Sequence, residues 1–93
     1  MVIGICTLHL LIPGSQSLKD KRQVIKSTLD RIRDRFNVSA AEVDELDSWQ
    51  RATLGFACVS KDQSFVDQVL QKVLTTVESN PQIEVAGVQM EFV

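Results

Sequence analysis

The residues best suited to chemistry in this chain are basic side chains concentrated between Leu18 and Phe36. Seven of the ten lysines and arginines lie there beside only three acidic residues: they are Lys19, Lys21, Arg22, Lys26, Arg31, Arg33 and Arg35. One subset is spaced by three, four and seven residues and therefore follows one side of a helix. This subset, the basic stripe, consists of Lys19, Arg22, Lys26 and Arg33. Cations on a rigid helix can hold phosphates or an acidic partner.

The start of the same segment indicates a related anion site. Ser17 follows a Pro-Gly turn and is suited to cap a helix, whose first turn presents free backbone N–H groups. The neighbouring cations would add charge to those donors. We therefore expect an anion-binding surface, for which RNA or a ribosome-associated particle is the natural partner; its residues are Ser17, Lys19, Lys21, Arg22, Lys26 and Arg33. A module that senses a small anion at Ser17 is the alternative.

A purely structural role for the basic residues is the competing interpretation. Ion pairs within the helix and to the neighbouring strand would use the charges internally, and exposed pairs of this kind contribute about 0–1 kcal/mol each. Three pairs are expected on this interpretation: Lys26 with Asp30, Arg31 with Asp34, and Arg22 with Glu42.

The other polar residues do not form a catalytic or metal-binding pattern. His9 is the only histidine, and a metal site or a nucleophile–base pair needs more converging groups. Cys6 and Cys58 lie in apolar segments, which predicts buried, reduced thiols. An acylphosphatase-like hydrolase remains a weaker alternative, because proteins of that class resemble one another in a loop arginine after the first strand, and Pro13–Ser17 has none. We expect no enzyme activity, no metal and no cofactor.

The elements that must position these residues alternate in type along the 93 residues, which we expect to form one domain over residues 1–93. Strands are predicted where apolar residues run together or alternate, and helices where they recur every three to four residues. The predicted order is a strand over Val2–Ile12, a helix after Ser17, strands over Val38–Glu45 and Trp49–Val59, a helix opened by a Ser60–Gln63 capping box, and a strand over Ile83–Val93.

This order predicts a ferredoxin-like α+β fold, βαββαβ, with a four-stranded antiparallel sheet and two helices on one face. The first and third strands should be central. No helix covers the opposite face, yet apolar residues point there, so we expect a homodimer formed through this open face. The residues predicted to lie on it are Ile3, Ile5, His9, Leu11, Trp49 and Arg51.

Targeting signals are missing from the amino-terminal segment. Its apolar stretch is too short to span a bilayer and lacks a basic leader and a small-residue cleavage site, which argues against a signal peptide. A cytoplasmic protein that does not enter membranes is therefore expected.

Three segments resemble a known family: Ser17–Arg22, which reads SLKDKR, Arg35–Val43 and Trp49–Ala52. Together they are similar to the YlxP-like family of small bacterial proteins of unknown function, and the similarity covers nearly the whole chain. The resemblance implies a ferredoxin-like fold in the bacterial cytosol, and genes of this family often lie beside those for translation initiation and ribosome maturation factors. It implies no reaction and supplies no catalytic residues.

Overall fold

A computed structural model of residues 1–93 contains four strands and two helices in the order βαββαβ. The strands form one antiparallel sheet in the order β2-β3-β1-β4, so β1 and β3 are central. The predicted ferredoxin-like α+β fold is confirmed. The elements are β1 Val2–Leu11, α1 Leu18–Arg35, β2 Ser39–Asp44, β3 Arg51–Ser60, α2 Gln63–Glu78 and β4 Glu84–Phe92.

The hydrophobic core lies between one face of the sheet and the two helices. Alternate residues of the central strands face the helices, since successive side chains of a strand point to opposite sides. Each helix contributes apolar residues at three- and four-residue spacing. The sixteen core residues are Cys6, Leu8, Leu10, Ile12, Ile25, Leu29, Ile32, Ala52, Leu54, Phe56, Cys58, Val66, Leu70, Val73, Val77 and Ile83.

The two helices begin with different caps. Ser17 caps α1 as predicted: its Oγ accepts from the backbone N of Asp20 at 3.0 Å, and the Asp20 carboxylate accepts from the backbone N of Gln16 at 3.1 Å. The Ser60 capping box predicted for α2 is wrong. Asp62 caps that helix and accepts from the backbone N of Ser64 at 3.0 Å, because Ser60 still belongs to β3.

Both edge strands contain a register irregularity. The pairing of β1 with β4 shifts between His9 and Leu10, and that of β2 with β3 shifts between Glu42 and Asp44. An extra residue in an edge strand bends it and increases its twist. The central β1–β3 pair runs from Val2–Ser60 to Leu11–Arg51 without a shift, so the middle of the sheet is regular.

We predict that Gly4→Ala destabilises the fold by about 1–3 kcal/mol, because helix α2 packs directly on the backbone of β1 there. A Cβ at Gly4 would lie 2.2 Å from Val66 Cγ1 and 2.8 Å from Leu70 Cδ1. Gly14→Ala is the matched control, since no atom lies within 4 Å of its added Cβ. Urea unfolding followed by circular dichroism measures both, and equal midpoints would contradict this account of α2 packing.

Candidate functional site

Lys21 does not belong to any surface of the protein. Its side chain is 0% exposed, and Nζ donates to Glu42 Oε2 at 2.8 Å. Three backbone carbonyl oxygens also lie within hydrogen-bonding distance: those of Glu45 at 2.9 Å, Leu46 at 3.4 Å and Arg51 at 3.3 Å. The assignment of Lys21 to the anion-binding surface is therefore corrected, because its ammonium is held inside the protein. We call this arrangement the Lys21 clasp.

Local geometry explains why a lysine is buried at this position. Lys21 lies one helical turn before Ile25 and on the same buried face of α1, so its side chain points under the helix. Asp44 Oδ1 accepts from the backbone N of Glu45 at 2.8 Å, and Glu45 has a left-handed φ of 61°. This turn lies at the end of β2, where the carbonyls of Glu45 and Leu46 meet the ammonium.

The clasp also corrects a predicted ion pair. Glu42 was expected to meet Arg22, but it contacts Lys21, and Arg22 is exposed with no carboxylate oxygen within 4.0 Å. Lys19 is likewise exposed and unpaired. These two cations are the freest members of the basic stripe.

The other two members of the basic stripe share one carboxylate. Lys26 Nζ lies 2.7 Å from Asp30 Oδ2, as predicted, and Arg33 Nη1 lies 3.6 Å from Asp30 Oδ1. Arg33 also donates to the carbonyl oxygen of Ala40 on β2. The hydrogen bond from Lys26, assisted by the charges of Lys26 and Arg33, lowers the pKa of the Asp30 carboxyl. The expected pair of Arg31 with Asp34 does not form.

The electrostatic result is an exposed flank of α1 with a net positive charge. The basic stripe holds four cations and the one carboxylate that pairs with them, so its formal charge is +3. All four side chains reach solvent. Residues Lys19 to Arg33 span 14 positions of the helix, or about 21 Å at 1.5 Å per residue. The flank is long enough to lie beside several phosphates of one strand.

The Ser17 end of α1 has a different electrostatic character. The Asp20 carboxylate already accepts from the backbone N of Gln16, where a bound anion was expected to lie. An adjacent cleft of about 610 Å³ is lined by ten residues, of which Asp20 is the only charged one. No lysine or arginine lines this cleft, so its one carboxylate repels an anion and the cleft offers the anion no charge partner.

Gln50 is a structural residue that the sequence analysis did not identify. Gln50 Nε2 donates to the carbonyl oxygen of Ser15 at 2.9 Å and lies 3.3 Å from that of Pro13, which ties the β1–α1 loop to the start of β3. Both contacts join residues more than thirty positions apart, and an amide side chain in a loop gives no sequence signal for such a partner. The β1–α1 loop and the β2–β3 loop are therefore held together.

The open face receives five of the six residues assigned to it. Ile3, Ile5 and Leu11 are half-buried and His9 is exposed, all on β1, while Arg51 is exposed opposite Leu11 on β3. Trp49 was expected in the third strand, but β3 begins at Arg51. Its side chain, 58% exposed, belongs to the loop that precedes the strand.

The two thiols face the core rather than the open surface. Cys6 and Cys58 are both buried and unpaired with each other. Burial raises the pKa of the Cys6 thiol to about 11 and also raises the pKa of Cys58. No group of three or more His, Cys, Asp or Glu residues lies together in a way that could hold a metal ion.

Comparison with known proteins defines the family. A family model described as "Protein of unknown function (DUF503)" matches residues 3–90. The chain belongs to the DUF503 family. It is 40% identical over 83 residues to the uncharacterized protein YlxP of Bacillus subtilis (strain 168), an alignment that covers 89% of this chain and 90% of that protein. The resemblance to the YlxP-like family, inferred from Ser17–Arg22, Arg35–Val43 and Trp49–Ala52, is confirmed.

Among solved structures, a REP-associated tyrosine transposase bound to a REP hairpin is similar at a TM-score of 0.43 and 17% sequence identity. The alignment covers 98% of this chain and 55% of the transposase chain. That similarity is too low to support an inference about this DUF503 protein. Neither helix of the protein is long and apolar enough to cross a bilayer.

We predict that Lys21→Met lowers the free energy of unfolding by about 3 kcal/mol, because it leaves the Glu42 carboxylate partly buried without its cation. Lys19→Met removes the same charge from an exposed position of the same helix and should have little effect. Urea unfolding compares the two. A Lys21→Met protein as stable as Lys19→Met would show that the clasp does not hold α1 to the sheet.

We predict that neither thiol of the folded protein reacts readily at pH 8, since a pKa of about 11 leaves roughly one Cys6 in a thousand as thiolate and burial blocks access. Raising the pH toward this pKa increases the fraction of Cys6 that is thiolate. An aromatic disulfide reagent should report two thiols only after denaturant is added. Prompt labelling of native protein, at the rate of free cysteine, would contradict the buried placement.

Proposed function

We propose that this DUF503 protein is a non-enzymatic module of the bacterial cytoplasm that binds RNA, free or in a ribosome-associated particle, through the basic stripe of α1. The observation that carries the proposal is the state of Lys19 and Arg22, which are exposed and have no carboxylate partner. Unpaired cations on a rigid helix are available to phosphate without first breaking an internal ion pair.

Lys26 and Arg33 extend this surface toward the other end of α1. Their shared partner Asp30 is exposed, so a phosphate can compete with its carboxylate for both cations. Contacts of this kind go to the sugar–phosphate backbone and carry little sequence information. The binding mode supported by the stripe is therefore salt-dependent and largely independent of sequence, and Lys21 has no part in it.

The two alternatives have less support. Sensing of a small anion at Ser17 would place the ligand beside the Asp20 carboxylate, which already uses a backbone N–H of that loop. An acylphosphatase-like hydrolysis would need a cation in the β1–α1 loop, and residues 13–17 contain none. Neither of these two places offers an anion a cation, whereas the stripe offers Lys19 and Arg22 without a carboxylate partner.

The experiment is fluorescence polarisation with a labelled RNA hairpin across a potassium chloride series. Replacing Lys19 and Arg22 together by alanine should weaken binding roughly ten-fold and reduce the slope of log K against log salt by about 1.5, since two phosphate contacts are lost. Lys61→Ala with Lys72→Ala removes the same charge from exposed positions outside α1 and should change neither quantity. Lack of binding at low salt, or equal losses in both double variants, would rule out the stripe.

A gain-of-affinity variant tests the role of Asp30. Asp30→Asn should tighten hairpin binding because it removes the carboxylate that competes for Lys26 and Arg33. Glu78→Gln makes the same change in net charge at an exposed position near the end of α2 and serves as the control. If RNA binds at the basic stripe, the Asp30→Asn protein should bind the hairpin more tightly than the Glu78→Gln protein. Similar affinities would indicate only a nonspecific charge effect.

A further inference from the structure

The sheet face opposite the helices has an uncharged centre and a charged border. Along β1 and β3 it presents ten residues in five cross-strand pairs, and only one of them, Arg51 at the start of β3, carries a charge. These residues are Ile3, Ile5, Thr7, His9, Leu11, Arg51, Thr53, Gly55, Ala57 and Val59. The carboxylates of this face are confined to the edge strands: Asp44 lies opposite Thr53, Glu84 opposite Leu11 and Glu91 opposite Ile5.

Exposed apolar side chains on this face lie next to one another rather than singly. Val59 is 58% exposed beside half-buried Ile3, and Val93 is 71% exposed and shares two backbone hydrogen bonds with Ile3. Val43, at the irregularity of β2, covers Gly55, so its side chain extends the apolar centre toward that edge. A contiguous apolar patch of this kind marks an interaction surface.

The charges decide which class of partner fits the open face. One arginine against three carboxylates gives the face a formal charge of −2, which repels a polyanion such as RNA. The same charge on a second copy lies at the solvent-exposed border, where salt screens it. An apolar centre surrounded by charged and polar residues is the composition of a protein–protein interface, where the core is depleted of charge and the rim is not.

The size of the face matches what a stable dimer requires. Strands of 10, 6, 10 and 9 residues, about 4.8 Å apart and rising about 3.3 Å per residue, give a projected area of about 550 Å². A standard interface buries about 800 Å² of accessible surface per partner, and accessible surface exceeds its flat projection. One complete face of this sheet therefore supplies an interface of standard size without help from the helices.

We propose that the occupant of the open face is a second copy of this chain, packed sheet against sheet about a two-fold axis. A two-fold contact places the same apolar centre on both sides and leaves no patch uncovered. It can also bring Arg51 of one copy to a rim carboxylate of the other. The basic stripe lies in the helical layer on the opposite side of each sheet, so the dimer exposes two stripes on its outer surfaces. This inference does not depend on RNA binding.

The experiment is analytical ultracentrifugation of the full chain from low to high micromolar concentration. Wild-type protein should sediment with twice the 10.4 kDa chain mass at the upper end of the series. Val59→Asp places a carboxylate on the open face and should yield monomer. Val88→Asp is the matched control: Val88 is 44% exposed and pairs with Leu8, so it lies on the helical side of the sheet. Circular dichroism establishes that each variant is folded.

A wild-type protein that stays monomeric throughout the series would overturn the proposal. So would a Val59→Asp protein that dimerises as strongly as Val88→Asp, because the contact would then lie elsewhere. If Val59→Asp fails to fold, Val59→Lys is measured in its place with the same expected loss, because it also puts a charge in the apolar centre. Binding of the RNA hairpin, measured on a monomeric variant, tests the basic stripe separately from the dimer.

Discussion

The burial of the Lys21 ammonium is the interaction on which the arrangement of this molecule depends. A cation taken out of water must regain strong partners, and here it finds a carboxylate and three carbonyl oxygens from the segment Glu42–Arg51. Those partners close the β2–β3 turn and at the same time hold the first turn of α1. Because the helix is held with Lys21 inward, its stripe of other cations is held outward. The position of the surface charge thus follows from the buried face of α1, where Lys21 lies beside Ile25, Leu29 and Ile32.

The protein separates its two candidate surfaces into different layers. The helical layer carries the excess of unpaired cations, whereas the open face of the sheet has an uncharged centre and a net negative border. Each surface suits a partner that the other would reject: a polyanion is attracted to the stripe and repelled by the sheet, and an apolar partner fits only the sheet. Occupation of one surface therefore leaves the other accessible.

Most of the fold followed from local patterns, and the site followed only in part. Alternation of Leu54, Phe56 and Cys58 with small or polar residues identified a strand with one core face, and Ser17 with Asp20 identified a helix start. Lys21 was assigned to the surface because its partners lie 21 to 30 positions away, beyond any local pattern. In retrospect its spacing from Ile25 and Ile32 placed it on the buried face of α1. The charge of a lysine outweighed that signal.

The irregular edge strands have a consequence for how this protein can assemble. Each outer strand departs from regular pairing once, near Glu42 in β2 and opposite His9 in β4, and a strand bent in this way is a poor template for a further strand. Growth of the sheet sideways into fibrils is disfavoured at both borders. Contact between copies is then left to the open face, and the proposed two-layer dimer closes after a single step.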